Sequence, residues 1–261
     1  MSNKMLIRIG LLTVLACVAA LALLAPRWMQ RQTVKAAIQA KRVVGKIPGV
    51  RRAWGKKSLR YRVKQYGKSA RRRLAPYFKK AKVAYPPHAM RLVGFKREKR
   101  LELYARARRG KWKLVRSYPV LAASGDDGPK LREGDMQVPE GIYRVNYLHP
   151  NSQFHLALRL NYPSYRDRLQ GRRDKRRGLG SDIMIHGNQV SIGCIAIGDT
   201  AIEELFVLGA DVGMRKISVI ITPADPRKVK LSKIASKLKR RIPWIRTRYK
   251  RIQKALKRTW N

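Results

Sequence analysis

At Pro86-Pro87 the sequence changes its period, and that change divides the chain. Before it, Leu59, Val63, Tyr66, Ala70 and Leu74 recur at steps of four and three, the spacing of one helix face. After it come short apolar runs punctuated by Gly, Pro, Asn and Asp. Residues 91–95, 101–105, 112–116, 118–123, 142–147, 154–160, 183–185 and 217–222 each read as a strand. A single helix is signalled there, opened by a capping box at Thr200-x-x-Glu203 and stopping at Gly209. Eight short strands and one short helix predict a mainly β domain over residues 88–223, a sandwich or barrel, flanked by helical basic arms.

Charge divides along the same lines. The chain carries +46. Residues 1–87 contribute +22 with no acidic side chain, residues 88–223 only +10, and residues 224–261 a further +14. A uniformly basic scaffold is therefore excluded. A charge of +46 invites a nucleic-acid partner, but the middle block has ordinary balance and no RRM, KH or helix-turn-helix signal, so nucleic acid is not favoured.

Within the N-terminal block, residues 9–25 form an apolar run preceded by Lys4 and Arg8 and closed by Pro26-Arg27. Its seventeen residues suit a signal or membrane-anchor segment over residues 1–26, leaving 27–87 as a basic, partly helical arm. Arg27, Arg31 and Lys35 outnumber the cations before the run, which favours a cytoplasmic body, whereas an N-terminal signal-like run exports the chain beyond it. The two rules conflict. Beyond 223, Leu231, Ile234, Leu238 and Ile242, then Ile245, Tyr249, Ile252, Leu256 and Trp260, keep helical spacing on either side of Pro243. Such basic amphipathic helices fit an anionic membrane surface, or an apolar stripe laid on the neighbouring domain.

The chemistry concentrates in Ile183-Met-Ile-His-Gly-Asn-Gln-Val-Ser-Ile-Gly-Cys-Ile-Ala-Ile-Gly-Asp199. An apolar strand delivers His186, Gly187 frees the backbone to turn, and Cys194 comes eight residues after His186 at the start of another apolar strand. A strand-end His and a strand-start Cys joined by a short loop can face each other as base and thiol nucleophile. Gly193 lets backbone N–H groups approach a substrate carbonyl. Cys17 lies in the N-terminal run, so Cys194 is the one cysteine of the body, without disulfide or CxxC company. The four histidines form no metal motif, and nothing in the chain calls for a cofactor.

The run His186-Gly187…Ser191-x-Gly193-Cys194 resembles the signature of the L,D-transpeptidase catalytic (YkuD) domain family, and Gly134-Asp-x-x-Val-Pro-Glu-Gly-Ile-Tyr143 resembles a loop of that family. The resemblance covers about residues 88–223 and is nearest to the YafK-like branch, as Asn161-Tyr-Pro163 and Tyr165 also suggest. It implies a β-rich periplasmic domain acting on peptidoglycan stem peptides at meso-diaminopimelate, in a chain anchored to the inner membrane. By the same resemblance Cys194 forms the thioester, His186 moves the proton, Ser191 orients the site, and the N–H groups of Gly193 and Cys194 make the oxyanion hole. Ile192 stands where the commonest signature has a second His, Ala196 where it has Arg or Asn, and Val138 where Thr precedes Pro139. Transpeptidation and hydrolysis both stay open; in the YafK-like branch hydrolysis releases a wall-linked lipoprotein from diaminopimelate.

Overall fold

The computed structural model describes residues 56–191 and 193–261. The apolar run and the first half of the basic arm lie outside the described residues. Nine strands form one sheet: β1 (Ala89–Phe95), β2 (Arg100–Arg106), β3 (Lys113–Pro119), β4 (Ala122–Ala123), β5 (Gly141–Ser152), β6 (His155–Leu160), β7 (Met184–His186), β8 (Ile195–Ala196) and β9 (Ile217–Thr222). Their order is β3-β2-β1-β9-β5-β6-β7-β8-β4. The two ends of that order, β3 and β4, are separated in the chain only by Val120 and Leu121. Three residue steps reach about 10 Å, so the sheet must curl until its ends approach. Val120 N donates to Lys99 O at 2.7 Å beside β2, and Leu121 N donates to Ala196 O at 2.9 Å in β8. Two adjacent residues thus stitch the half-barrel together.

Long β5 makes the turn of the curl. Its first residues, Gly141–Arg144, pair with β9, and the remainder pairs with β6. β9 comes last in sequence but lies between β1 and β5, parallel to β1 and antiparallel to β5.

Five helices among the described residues make the fold mixed α/β: three lie in the arms expected to be helical, while the domain expected to be mainly β with one short helix holds two. They are α1 (Leu59–Ala81), α2 (Tyr165–Arg173), α3 (Asp199–Val212), α4 (Leu231–Leu238) and α5 (Ile245–Trp260). α2 has a capping box in which the Ser164 hydroxyl and the Asp167 carboxylate exchange backbone bonds. The box expected at Thr200 does not cap α3. That helix starts two residues earlier, at Asp199 after Gly198, and runs through Gly209 to Val212. Gly209 is buried with Ile217 and Leu148 so close that a Cβ would lie 3.1–3.3 Å from them, so this glycine serves close packing rather than termination.

Both faces of the β2-β1-β9 region are covered. Met90, Leu92, Leu101, Leu103, Val219 and Ile221 join α1 and α3 in one core. Val93, Phe95, Tyr104 and Ile220 point the other way and meet Leu231, Ile234, Ile245, Tyr249, Ile252 and Leu256 of α4 and α5. This decides between the two readings of the C-terminal stripe: its apolar face lies on the domain. Each such side chain contributes roughly 1.5–3 kcal/mol by leaving water, which surrendering the face to a lipid surface would forfeit. Likewise Ala70, Leu74 and Phe78 of α1 are buried, and Lys57–Asn261 forms one compact unit. Among the described residues no helix is long and apolar enough to cross a membrane.

Buried acids fasten the helices. Glu204 of α3 receives Arg73 Nε from α1 at 2.8 Å, Arg116 Nη1 from β3 at 2.9 Å and the Tyr118 hydroxyl at 3.0 Å. Glu140, with no accessible surface, receives Lys96 Nζ and Gly128 N at 3.0 Å and the Tyr249 hydroxyl of α5 at 2.8 Å. Glu140→Gln leaves the Lys96 ammonium without its counter-charge. It is expected to cost ~3–5 kcal/mol, the penalty for breaking a buried pair. At this chain length that is about a 10 °C fall in Tm. Calorimetry reads it, and a loss below about 1 kcal/mol would show that the carboxylate charge is dispensable.

Candidate active site

The site is built beside one of the two shortest pairings in the sheet. β7 and β8 run parallel for two residues, Ile185 opposite Ile195 and His186 opposite Ala196. Ile185 and Ile195 are both in the core, so strand alternation turns His186 and Ala196 to the other face. Cys194 immediately precedes β8, the strand whose Ala196 lies opposite His186. On its other edge β7 pairs with β6, His186 opposite Ala157.

His186 is almost fully buried. Its Nδ1 lies 2.6 Å from Gly187 O. A carbonyl only accepts, so Nδ1 carries the proton and Nε2 carries the lone pair. Nε2 is buried and has no hydrogen-bond partner among the described residues. The Phe154 ring stacks on the imidazole, centroids 4.6 Å apart. Burial lowers the His186 pKa below its usual 6.5, with the bond to Gly187 O opposing that shift. The ring is held neutral, oriented, and with its basic nitrogen free.

The turn after His186 requires glycine. A Cβ at Gly187 would lie 2.9 Å from Phe154 O and would also collide with Asp199 Oδ1. That carboxylate oxygen accepts Asn188 N at 2.7 Å. Ile197 N donates to His186 O and Gly198 N to Asn188 O, closing the loop back onto the entry to α3.

Cys194 is partly exposed. Its thiol points to Asp182 O, Sγ to oxygen 3.7 Å. The surrounding protein dominates its acidity: burial pushes the thiol up to about 11, a backbone bond at Met184 lowers it, Asp182 raises it and Lys130 lowers it. At neutral pH the thiol and the imidazole are therefore both uncharged.

Ser191 Oγ accepts Cys194 N at 3.0 Å and donates to Cys194 O at 2.6 Å, clamping the backbone of the cysteine itself. Gly193 has φ +80°, the left-handed region. Its N–H donates to Ser124 Oγ at 2.6 Å, and that hydroxyl donates to Met136 O at 2.7 Å. Hence the two N–H groups expected to be open for an oxyanion are both engaged by serine hydroxyls in this structure. Sequence reasoning missed Ser124, which sits 70 residues from Cys194 in a turn cluster with no motif of its own. It also missed Lys130, whose ammonium is held by Asp135 Oδ1 at 2.7 Å and Arg132 O at 2.9 Å. His155 stands apart from the site: its Nε2 meets Glu203 Oε1 at 3.1 Å and its ring meets Tyr66 edge-on, joining α1 to α3.

Residues 89–220 match the family model for YkuD, the L,D-transpeptidase catalytic domain. Among characterised sequences, the putative L,D-transpeptidase YafK of Escherichia coli strain K12 is 40% identical over 134 residues, 49% of this chain and 52% of the relative. The chain thus spans about half the length of the curated relatives it matches. Among solved structures, the helical cell shape determining protein Pgp2 of Campylobacter jejuni is similar at 23% identity and TM-score 0.44, over 52% of this chain and 48% of that one. L,D-transpeptidase 1 of Mycobacterium tuberculosis is similar at 13% identity and TM-score 0.30, over 51% and 61%. With the His-Gly turn and the Ser-x-Gly-Cys clamp set on adjacent strands inside the matched region, the chain belongs to the YkuD L,D-transpeptidase catalytic domain family.

Proposed function

We propose that this protein transfers acyl groups on peptidoglycan stem peptides at meso-diaminopimelate through a Cys194 thioester. The observation that carries the reading is the state of His186. Its Nδ1 proton is committed to Gly187 O, its buried Nε2 has no partner among the described residues, and Cys194 immediately precedes the strand that pairs with β7. Buried polar atoms without partners are rare in folded proteins, and a functional base is a common reason for one.

In this mechanism Nε2 takes the Cys194 proton as sulfur attacks the substrate carbonyl carbon. The tetrahedral intermediate collapses, the C–N bond breaks, and the imidazolium returns the proton to the leaving amine. An acceptor then attacks the thioester with Nε2 as base, the C–S bond breaks, and the thiolate regains its proton. For Gly193 N–H and Cys194 N–H to hold the oxyanion, Ser124 and Ser191 must release them as substrate enters. An acceptor amine gives transpeptidation. Water gives the alternative reading, an amidase freeing wall-linked lipoprotein from diaminopimelate. Ala196, opposite His186, supplies no polar side chain there. We further place the protein in the periplasm, held at the inner membrane by residues 9–25, a reading supported by the composition of that run.

Digestion of purified sacculi with subsequent separation of muropeptides tests the reaction and its acceptor together. New cross-links identify transpeptidation; trimmed stems or released lipoprotein fragments identify hydrolysis. Cys194→Ala is expected to remove at least ~1,000-fold of the activity, and an unchanged digest with wild-type protein rejects catalysis on this substrate class.

The pH dependence is set by the neutral pair. His186 must be unprotonated to act as base, and its pKa is lowered, so kcat/KM should rise with pH only below 6.5 and then stay level. The thiol, pushed up to about 11, should show iodoacetamide alkylation still accelerating above about pH 9. An alkylation rate already level at neutral pH would mean a preformed thiolate–imidazolium pair, contrary to this mechanism.

A further inference from the structure

A cleft of about 360 Å³ opens away from His186 and Cys194, between α2 and α5, with Ile142 at the start of β5 on its floor. Arg166 and Arg173 line it from α2, and Arg251, Lys254 and Arg258 from α5. On each helix the outermost of these cations are about two turns apart, so each set forms one stripe about 10 Å long. Trp244 closes one side.

The acids of the neighbourhood are already engaged: Asp174, beside the cleft, accepts from Gln170 and Trp244 and pairs with Arg176. Asp167, the carboxylate lining the cleft, is buried, bonded to the Ser164 hydroxyl at 2.6 Å and paired with Arg248 Nη1 at 2.9 Å. Arg248 also donates to Glu140 O and lies over the Trp244 ring. Arg166, Arg173, Arg251, Lys254 and Arg258 are exposed and have no ion-pair partner among the described residues. The segment outside those residues offers none either, since residues 1–55 contain no Asp or Glu. Five like charges around one concave volume repel one another, and low-dielectric walls focus their field into it. An anion placed there relieves that repulsion and meets guanidinium forks suited to bidentate contact.

We propose that this cleft binds a ligand carrying two or more phosphate groups. Phosphate supplies the highest charge density for five cations, and two facing stripes accommodate two anionic groups better than one. Anionic phospholipid headgroups and soluble phosphate esters share this chemistry. The concave shape and its volume suit a compact headgroup-sized anion.

The test uses the full chain and inorganic pyrophosphate as probe, measured by calorimetry at fixed salt. A cleft variant carries Arg166→Gln, Arg173→Gln, Arg251→Gln, Lys254→Gln and Arg258→Gln. A control variant removes the same charge from α1 through Lys64→Gln, Lys68→Gln, Arg72→Gln, Lys79→Gln and Lys80→Gln. The cleft variant is expected to lose pyrophosphate affinity by about tenfold or more, and the control to stay within about twofold, because focused charge outweighs net charge at short range. Equal losses in both variants, or no pyrophosphate binding by the wild type, would overturn the proposal. Should the fivefold variant fail to fold, Arg251→Gln with Arg258→Gln alone is expected to give the same ordering. Cardiolipin vesicles, whose headgroup carries two phosphates, separate the sources. Co-sedimentation that pyrophosphate competes away, and that the cleft variant loses, assigns the site to a lipid headgroup; co-sedimentation equal in both variants assigns it to a soluble ester.

Discussion

Glu140 is the carboxylate on which the arrangement of this protein turns. In a chain with 61 basic and 15 acidic residues, acids are the scarce partner, and this one is buried completely. One of its oxygens takes the Lys96 ammonium just beyond β1 and the Gly128 N–H of the loop between β4 and β5; the other takes the Tyr249 hydroxyl of α5. Lys96 in turn donates to the carbonyls of Asp126, Gly128 and Val138 in the same loop. That loop also presents Met136 O to Ser124, whose hydroxyl receives the N–H of Gly193. A charge pair at the ends of the inner strands β1 and β5 is therefore coupled by a short chain of hydrogen bonds to the backbone beside Cys194, and helix α5 is part of the same assembly.

The His186–Cys194 motif was legible because strand ends leave a strong local trace: an apolar run, a His-Gly step, a Gly-Cys step and a second apolar run. Those signals are short-range, and the β7–β8 pairing brings them to neighbouring strands. Partners far apart in sequence left no such trace. Ser124 is an ordinary serine in a turn cluster until the fold places its hydroxyl on Gly193. The fate of the C-terminal stripe was equally hidden, because helical spacing of Ile245, Tyr249, Ile252 and Leu256 records that one face is apolar and not what covers it.

The helix count shows a different kind of miss. Ser164-x-x-Asp167 was present as a start signal for α2, but the segment after it is so rich in arginine that no apolar stripe marks it as a helix. The opposite error occurred at α3, where Thr200-x-x-Glu203 matched a capping pattern although Glu203 is engaged by Arg73 and His155. Tertiary ion pairs overrode a local preference worth about 1 kcal/mol. Gly209 carries the same lesson: in isolation it reads as a stop, and in the fold it is the one residue small enough for β9 and β5 to approach α3.

The position of β9 has a consequence for how the chain is made. Residues 217–222 lie between β1 and β5, so the strand that leaves the ribosome last among the nine is central to their sheet. Until it arrives, β1 and β5 each present an unpaired edge, and the two halves of the half-barrel have no ladder joining them. The contacts that complete the sheet are long-range, which slows folding and lengthens the time those edges stay open. Truncation before residue 217 would therefore remove a keystone and leave two sticky half-sheets, even though every residue of the His186–Cys194 motif had been synthesised.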